Sequence, residues 1–270
     1  MKKEGYMSPE DAVAWLMDQP SSEEIVRGCY WDDPLVDAAR RFWSGSEWSA
    51  VRAFIPSPPG AALDLGAGRG IASYALSRDG WKVTALEPDP SYRIGAGAAR
   101  NLAKDAGLSI DVVETWGEEL PFADESFDLV YTRAVLHHAR DLRQLCGEIG
   151  RTLRTGGVYI ATREHVLTNR VDLDTFLASH PLHKVTGNEN AYLLEEYVNA
   201  MVSAGIKITR TLNPKQSDIN LFPATRGDVK KRWAGKMGWP FPKVIPDYAL
   251  TVYGALERTP GRLYSFIGRK

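Results

Sequence analysis

Residues 62–70 read Ala62-Leu63-Asp64-Leu65-Gly66-Ala67-Gly68-Arg69-Gly70, an apolar run that meets three glycines at alternate positions. Ala61–Leu65 fits a buried strand, the glycines a sharp turn, and Ile71–Arg78 a helix. Glycines at such a turn let the backbone approach a ligand with no Cβ in the way. The spacing is one residue shorter than the G-x-G-x-x-G of dinucleotide-binding folds. Asp64 lies inside the strand, where a carboxylate suits a cationic group better than a pyrophosphate.

Downstream, the same alternation continues. Strands are expected at Lys82–Leu86, Ile110–Glu114, Phe127–Tyr131 and Gly157–Thr162, with helices at Tyr92–Ala106 and Asp141–Leu153. Continuous apolar strands between helices imply a parallel sheet covered on both faces. The expected class is α/β: a Rossmann-like, doubly wound, mostly parallel sheet with an N-terminal helical segment and a C-terminal insertion. Ligands bind such sheets at the carboxyl ends of the strands, near the reversal of strand order. Glu87 follows the second strand, some twenty residues after the glycine turn, where an acid can accept hydrogen bonds from both hydroxyls of an adenosine ribose.

Upstream, residues 1–56 read as helices. Apolar positions Ala12, Val13, Leu16 and Met17 are helically spaced, Ser21-Ser22-Glu23-Glu24 resembles a capping box, and Asp33 stands as an N-cap before Pro34. Residues 56–60, Pro-Ser-Pro-Pro-Gly, mark a boundary. Beyond the alternating region, a helix is expected over Ala191–Gly205 and strands over Ile206–Leu212 and Arg262–Arg269. The expected organisation is a helical cover (1–56), a core (57–215), an insertion or lid (216–260) and a final core strand (261–270).

A 270-residue chain with 44% hydrophobic and 25% charged residues can bury a full core without disulfides, which excludes disorder and a disulfide scaffold. A formal charge of -1 gives no field for nucleic acid. Between Lys207 and Lys243 nine basic residues face two acidic ones, a solvated face or a cationic rim for an anionic substrate. Cys29 and Cys146 read as core thiols of a reduced compartment. With no apolar leader and no apolar run near ~18 residues, a soluble cytoplasmic protein is expected.

Several further blocks occur in order: Trp116-Gly117-Glu118-Glu119-Leu120-Pro121-Phe122, Ser126-Phe127-Asp128-Leu129-Val130, Val135-Leu136-His137-His138 and Leu153-Arg154-Thr155-Gly156-Gly157. With the glycine turn and Glu87 they closely resemble the class I S-adenosylmethionine-dependent methyltransferases of the methyltransferase domain 11 type, over about Ala61 to Thr162. The resemblance implies S-adenosyl-L-methionine as cofactor. It implies that Asp64, Gly66, Ala67 and Gly68 hold the amino acid part, Glu87 with Pro88 the ribose, and Trp116 and Gly117 the adenine. Arg133 would contact the cofactor through its backbone. The family often has an acid where Trp116 stands, so a stack on adenine and plain core packing both stay open. Arg69 reads as a charge pair for Asp64 or for the cofactor carboxylate, or as an exposed helix-start arginine.

Methyl transfer is a direct displacement, and a hydroxyl acceptor needs a base, most often His. All five histidines lie between positions 137 and 183. His137 resembles a packing position of the family, leaving His138 and His165 as candidate bases. His180 and His183 with His165, Glu164 or Glu189 could gather a divalent ion, but the proline between them denies helical geometry, so no metal site is expected. They would instead shape a lid with Asn188, Glu189, Asn190 and Tyr192. Arg163 could pair with a substrate carboxylate or phosphate, or form a surface salt bridge. Tyr30 and Trp31 are candidates to line the cover or to pack on the core. Neither an Asn/Asp-Pro-Pro-aromatic signature nor a Pro-Cys nucleophile follows the fourth strand, which argues against DNA methylation. The expected acceptor is a polar small molecule or a sugar or glycan, anionic ones included, with O-methylation ahead of N-methylation. The alternatives are a nicotinamide-dependent oxidoreductase and a non-catalytic S-adenosylmethionine-binding regulator.

Overall fold

The computed structural model describes residues 6–20, 22–187 and 189–270; Ser21 of the expected capping box and Asn188 lie outside them. Four helices lead in: α1 (Pro9–Met17), α2 (Glu23–Gly28), α3 (Leu35–Ser44) and α4 (Ser46–Arg52). Then come β1 (Ala61–Leu65), α5 (Ile71–Arg78), β2 (Lys82–Leu86), α6 (Ala96–Asp105), β3 (Ile110–Val113), β4 (Phe127–Arg133), α7 (Leu142–Thr152) and β5 (Leu153–Leu167). The remainder is α8 (Leu173–Ala178), α9 (Pro181–Thr186), β6 (Tyr192–Leu193), α10 (Leu194–Ser203), β7 (Lys207–Leu212), α11 (Asp218–Leu221), α12 (Arg226–Lys236), α13 (Asp247–Leu256) and β8 (Arg262–Arg269).

The sheet order is β3-β2-β1-β4-β5-β8-β7, with β6 paired to the end of β5. The strands β1 to β5 are parallel to their neighbours. The chain's last strand, β8, enters antiparallel between β5 and β7. Strand order therefore reverses between β1 and β4, and the carboxyl ends of β1, β2 and β4 open a crevice there.

Side chains alternate across the sheet as the pleat demands. Leu63, Val130 and Tyr159 point to one face, against Leu145 and Ile149 of α7 and Tyr197 and Met201 of α10. Ala62, Leu129, Tyr131 and Ile160 point to the other, against Phe42, Trp48, Val51 and Leu76 of α3, α4 and α5. Each large side chain so buried contributes about 1.5–3 kcal/mol. Asp79, at the end of α5, accepts from Trp43 Nε1 (2.7 Å), Trp48 Nε1 (2.8 Å) and Arg52 Nε (2.6 Å), which fastens the N-terminal helices to the core.

Local expectations shift in four places. Asp33 does not cap a helix: α3 begins at Leu35 after Pro34, and the Asp33 carboxylate pairs instead with Arg69. α6 starts at Ala96 and not at Tyr92, because Asp89 takes the N–H groups of Ser91 on its side chain and Ala96 on its carbonyl, closing a loop. β5 runs well past Thr162, with a bulge against β8 between Ala161 and Glu164. Cys146 is buried, whereas Cys29, at the C-cap of α2, is exposed as a residue although burial around its thiol raises the thiol's pKa.

The N-terminal segment divides. α3 and α4 lie on a sheet face, whereas Ala12, Val13 and Leu16 of α1 pack with Leu182 of α9, Trp31 and Ile94. From the 216–260 stretch, Ile219 of α11 is sealed into the α3–α5 face. No helix among the described residues is long and apolar enough to cross a membrane.

Candidate active site

A cavity of about 590 Å³ opens at the reversal of strand order, lined by Gly66, Glu87, Pro88 and Asp89 on one wall and by Ala134, Val135, His138 and Glu189 on another. Its cover comes from Pro9 and Val13 of α1, Trp31, and Leu182 and Thr186 of α9. Gly66 has φ +70°, and a Cβ there would fall 2.6 Å from Val135 Cγ2. Only glycine makes this turn without filling the crevice.

Glu87 is fixed by its own loop: Gly68 N–H donates to Oε2 (2.8 Å) and Asp89 N–H to Oε1 (2.9 Å). Burial raises its pKa and these two donors pull it back. Asp64 is buried beneath the glycine turn, outside the cavity lining, and accepts from Ser73 Oγ at 2.5 Å. Burial pushes its carboxyl up to about 6, against that hydrogen bond. Ala67 and Gly68 shape the turn without lining the cavity.

Trp116 and Gly117 line the cavity; the indole is half-exposed, with the Arg140 guanidinium 3.6 Å from its ring centroid. Arg69 is neither paired with Asp64 nor exposed. It is buried and donates from Nη1 to the carbonyls of Tyr30 (3.1 Å) and Asp32 (3.2 Å), while Nη2 pairs with Asp33, so it ties the glycine turn to the N-terminal segment. The side chain of Arg133 forks onto buried Glu47, Nε to Oε1 at 2.7 Å and Nη2 to Oε2 at 3.1 Å. Its successors Ala134 and Val135 line the cavity in its place.

Tyr30 and Arg163 stand apart from the cavity lining. The Tyr30 ring is wholly buried, stacked on Phe222 (5.2 Å) and edge-on to Phe42 (5.3 Å). Arg163 donates from Nη1 to the carbonyls of Ile219 (2.9 Å) and Phe222 (3.2 Å), which leaves it a clamp on α11 rather than a surface salt bridge. None of the nine basic residues of the 207–243 stretch lines the cavity; Lys215 pairs with Glu257 (2.8 Å) and Lys230 with Asp247 (2.6 Å).

The bulge in β5 organises the histidines. It turns Glu164 inward, where its carboxylate accepts from the backbone N–H groups of Val135 (3.1 Å), Leu136 (3.1 Å) and His137 (3.2 Å), and lies 2.8 Å from His137 Nδ1. His138, next in the chain, reaches the cavity. His165 does not: its Nδ1 donates to the Gly261 carbonyl (2.8 Å) and its ring packs on His137 and Phe176. Burial drives the His165 pKa down to about 3. His180 caps α9, its Nδ1 accepting from Leu182 N–H at 3.3 Å. Glu189 brings one oxygen to 3.8 Å from His137 Nε2 and 3.9 Å from both His138 Nδ1 and His183 Nε2.

The glycine turn after β1, the acid at the end of β2 and the cavity between them stand where the resemblance to class I methyltransferases led the cofactor to be expected. Comparison with known proteins agrees. The methyltransferase domain family matches residues 63–161. A sarcosine/dimethylglycine N-methyltransferase of Halorhodospira halochloris is 34% identical over 58% of this chain and 56% of its own length. A ubiquinone biosynthesis O-methyltransferase of Rhizobium leguminosarum bv. trifolii is 30% identical over 59% of this chain and 65% of its own. The chain thus matches less than two thirds of either relative's length. Among solved structures, a geranyl diphosphate methyltransferase in complex with SAM has a TM-score of 0.59 at 16% identity, covering 98% of this chain and 96% of that one. The [4+2]-cyclase SpnF has a TM-score of 0.58 at 18% identity, covering 86% and 81%; such low identities speak for the fold alone. Residues 63–161 thus match the methyltransferase domain family, which supports S-adenosyl-L-methionine as the cofactor in place of a nicotinamide.

The residues fit that cofactor: Glu87 has free lone pairs at the cavity wall for a ribose diol, and the exposed indole of Trp116 offers a face for an adenine. Glu87→Ala is expected to weaken S-adenosylhomocysteine binding roughly 10- to 150-fold, the value of charge-assisted hydrogen bonds of about 1.5–3 kcal/mol. Calorimetric titration checks this, and an unchanged affinity in a folded variant removes Glu87 from the site.

Proposed function

We propose that this chain transfers a methyl group from S-adenosylmethionine to a hydroxyl of a polar small molecule or sugar, and that His138 takes the proton. The observation that carries the reading is that one cavity holds both the cofactor-side Glu87 and Gly66 and the imidazole–carboxylate edge of His138 and Glu189. Its volume of about 590 Å³ suits small molecules, for which pockets run to roughly 300–1,000 Å³. The relatives' names point to small acceptors, one at nitrogen and one at oxygen.

The cofactor supplies an electrophilic methyl whose bond to sulfur breaks with the electron pair remaining on sulfur. The glycine turn, Glu87 and Trp116 fix its orientation, which supplies much of the acceleration in a displacement reaction. Val13, Trp31 and Leu182 close the cavity and exclude water. His138 accepts the hydroxyl proton as the oxygen–methyl bond forms, so the products are a methyl ether, the thioether S-adenosylhomocysteine and a protonated imidazole that returns its proton to water.

Labelled S-adenosylmethionine offered with a panel of hydroxyl and amine acceptors tests this. Transfer to hydroxyl compounds is expected. Transfer to amines alone overturns the O-methyl assignment, and tight S-adenosylhomocysteine binding with no turnover on any acceptor favours a binding regulator.

A further inference from the structure

We infer that His137, His138 and Glu189 form a divalent metal site on the wall of the acceptor cavity, with Glu164 as its supporting carboxylate. The inference starts from hydrogen bonding. Glu164 accepts from three backbone N–H groups, a donor set suited to an ionised carboxylate, and its Oε2 lies 2.8 Å from His137 Nδ1. The ring proton therefore sits on Nδ1, and Nε2 presents a lone pair. That nitrogen, 2% exposed as a side chain, points at a Glu189 oxygen 3.8 Å away. His138 Nδ1 faces the same oxygen at 3.9 Å. These separations are longer than hydrogen bonds and are of the size that two ligands of one ion keep.

A divalent cation fits this spacing. Metal bonds of ~2.1 Å hold two ligand atoms roughly 3.4 Å apart at tetrahedral angles and about 4.2 Å apart when opposed. The three ligand atoms here all lie within 4.8 Å of one another. A buried carboxylate that accepts a hydrogen bond from the far N–H of a ligand imidazole is the way proteins fix the tautomer and raise the basicity of a metal-bound histidine. Two imidazoles and one carboxylate suit a first-row divalent ion such as Zn²⁺ and leave coordination positions open. His138 and Glu189 both line the cavity, so those positions face the acceptor. His183 Nε2, 3.9 Å from the same Glu189 oxygen, stands at the edge of the set.

The role of the ion rests on the proposed O-methyl transfer. A hydroxyl bound at an open position would lose its proton more readily, as water on Zn²⁺ does. In that arrangement the ion would replace the free His138 imidazole as the means of removing the proton: His138 would hold the ion, and the proton would leave to water as the oxygen–methyl bond forms and the sulfur–methyl bond breaks.

The test reads metal directly, so that it stands apart from turnover. The full chain, saturated with S-adenosylhomocysteine, is titrated with Zn²⁺ by calorimetry and with Co²⁺ by visible absorption. One ion per chain and new Co²⁺ bands are expected. Glu189→Gln and His138→Asn should each weaken Zn²⁺ at least tenfold and bleach the Co²⁺ bands, and Glu164→Gln should weaken it about 10- to 100-fold. S-adenosylhomocysteine affinity in each variant reports that the fold persists, and His138→Asn, on the exposed side, covers the event that the buried variant fails to fold. A chain that binds S-adenosylhomocysteine but no Zn²⁺, or variants that bind Zn²⁺ as well as the parent, overturns the metal site. Loss of S-adenosylhomocysteine binding in the parent would instead strike the cofactor reading.

Discussion

His138→Ala is expected to lower turnover by roughly 10²–10⁴-fold, the contribution of a positioned general base, while S-adenosylhomocysteine affinity stays within about twofold. The two effects separate because the Glu87 wall and the His138 wall belong to different elements of the same cavity, the loop after β2 and the turn after β4. His165→Ala should not reproduce the loss. Its Nδ1 is committed to the Gly261 carbonyl, its pKa near 3 makes it a poor proton acceptor, and it lies outside the cavity lining. Steady-state rates at saturating cofactor decide the matter: a fall in kcat for His138→Ala alone is the predicted pattern. If neither variant slows turnover by about tenfold, the base is elsewhere or the acceptor is an amine that needs none.

Asp64→Asn is expected to stabilise the cofactor-free chain at pH 7 and to weaken cofactor binding at least tenfold. The folded carboxyl titrates at about 6 because burial disfavours its charged form, with the Ser73 hydroxyl opposing. An unfolded aspartate titrates near ~3.9. The folded chain therefore holds this proton longer, and stability from the group is fully present below about pH 4 and lost as pH rises through about 6. Asparagine imitates the protonated form and can still accept from Ser73, so it removes a cost of up to about 3 kcal/mol at neutral pH. The same substitution removes the charge that the resemblance assigns to the cofactor's cationic end. Urea melts at pH 4 and pH 7 should diverge for the parent and converge for the variant. A variant less stable than its parent at pH 7 would mean that the carboxylate is structurally required, and an unchanged cofactor affinity would mean that it serves the loop alone. A site that costs stability in order to bind is the usual trade.

The exposed apolar residues of the 216–260 stretch, among them Trp239, Phe241 and Tyr248, and the basic residues around them lie outside the cavity lining. The cavity's cover is built instead from α1 and α9, elements far apart in the chain that meet through Ala12, Val13, Leu16 and Leu182. The apolar stripe of α1 is the sequence signal for this, since a nine-residue helix cannot bury such a stripe by itself.

The glycine turn, Asp64 and Glu87 could be read from the chain because their meaning is local. A strand that enters a Gly66 turn and a second strand that ends in an acid specify an α/β crossover and its ligand edge within some twenty-five residues. Alternating apolar strands then specified the parallel sheet, because each must be covered on two faces. What only the tertiary structure decided is where side chains with several equally good partners turn. Tyr30, Arg69, Arg133 and Arg163 could each have faced a ligand; burial gave them Phe222, Asp33, Glu47 and the α11 carbonyls instead. The histidines were sorted by a one-residue event, the bulge between Ala161 and Glu164, which aims Glu164 at His137 and commits His165 to Gly261. A strand's register and bulges are set by its neighbours, here β8 from the far end of the chain, and the pattern of its own residues does not contain them.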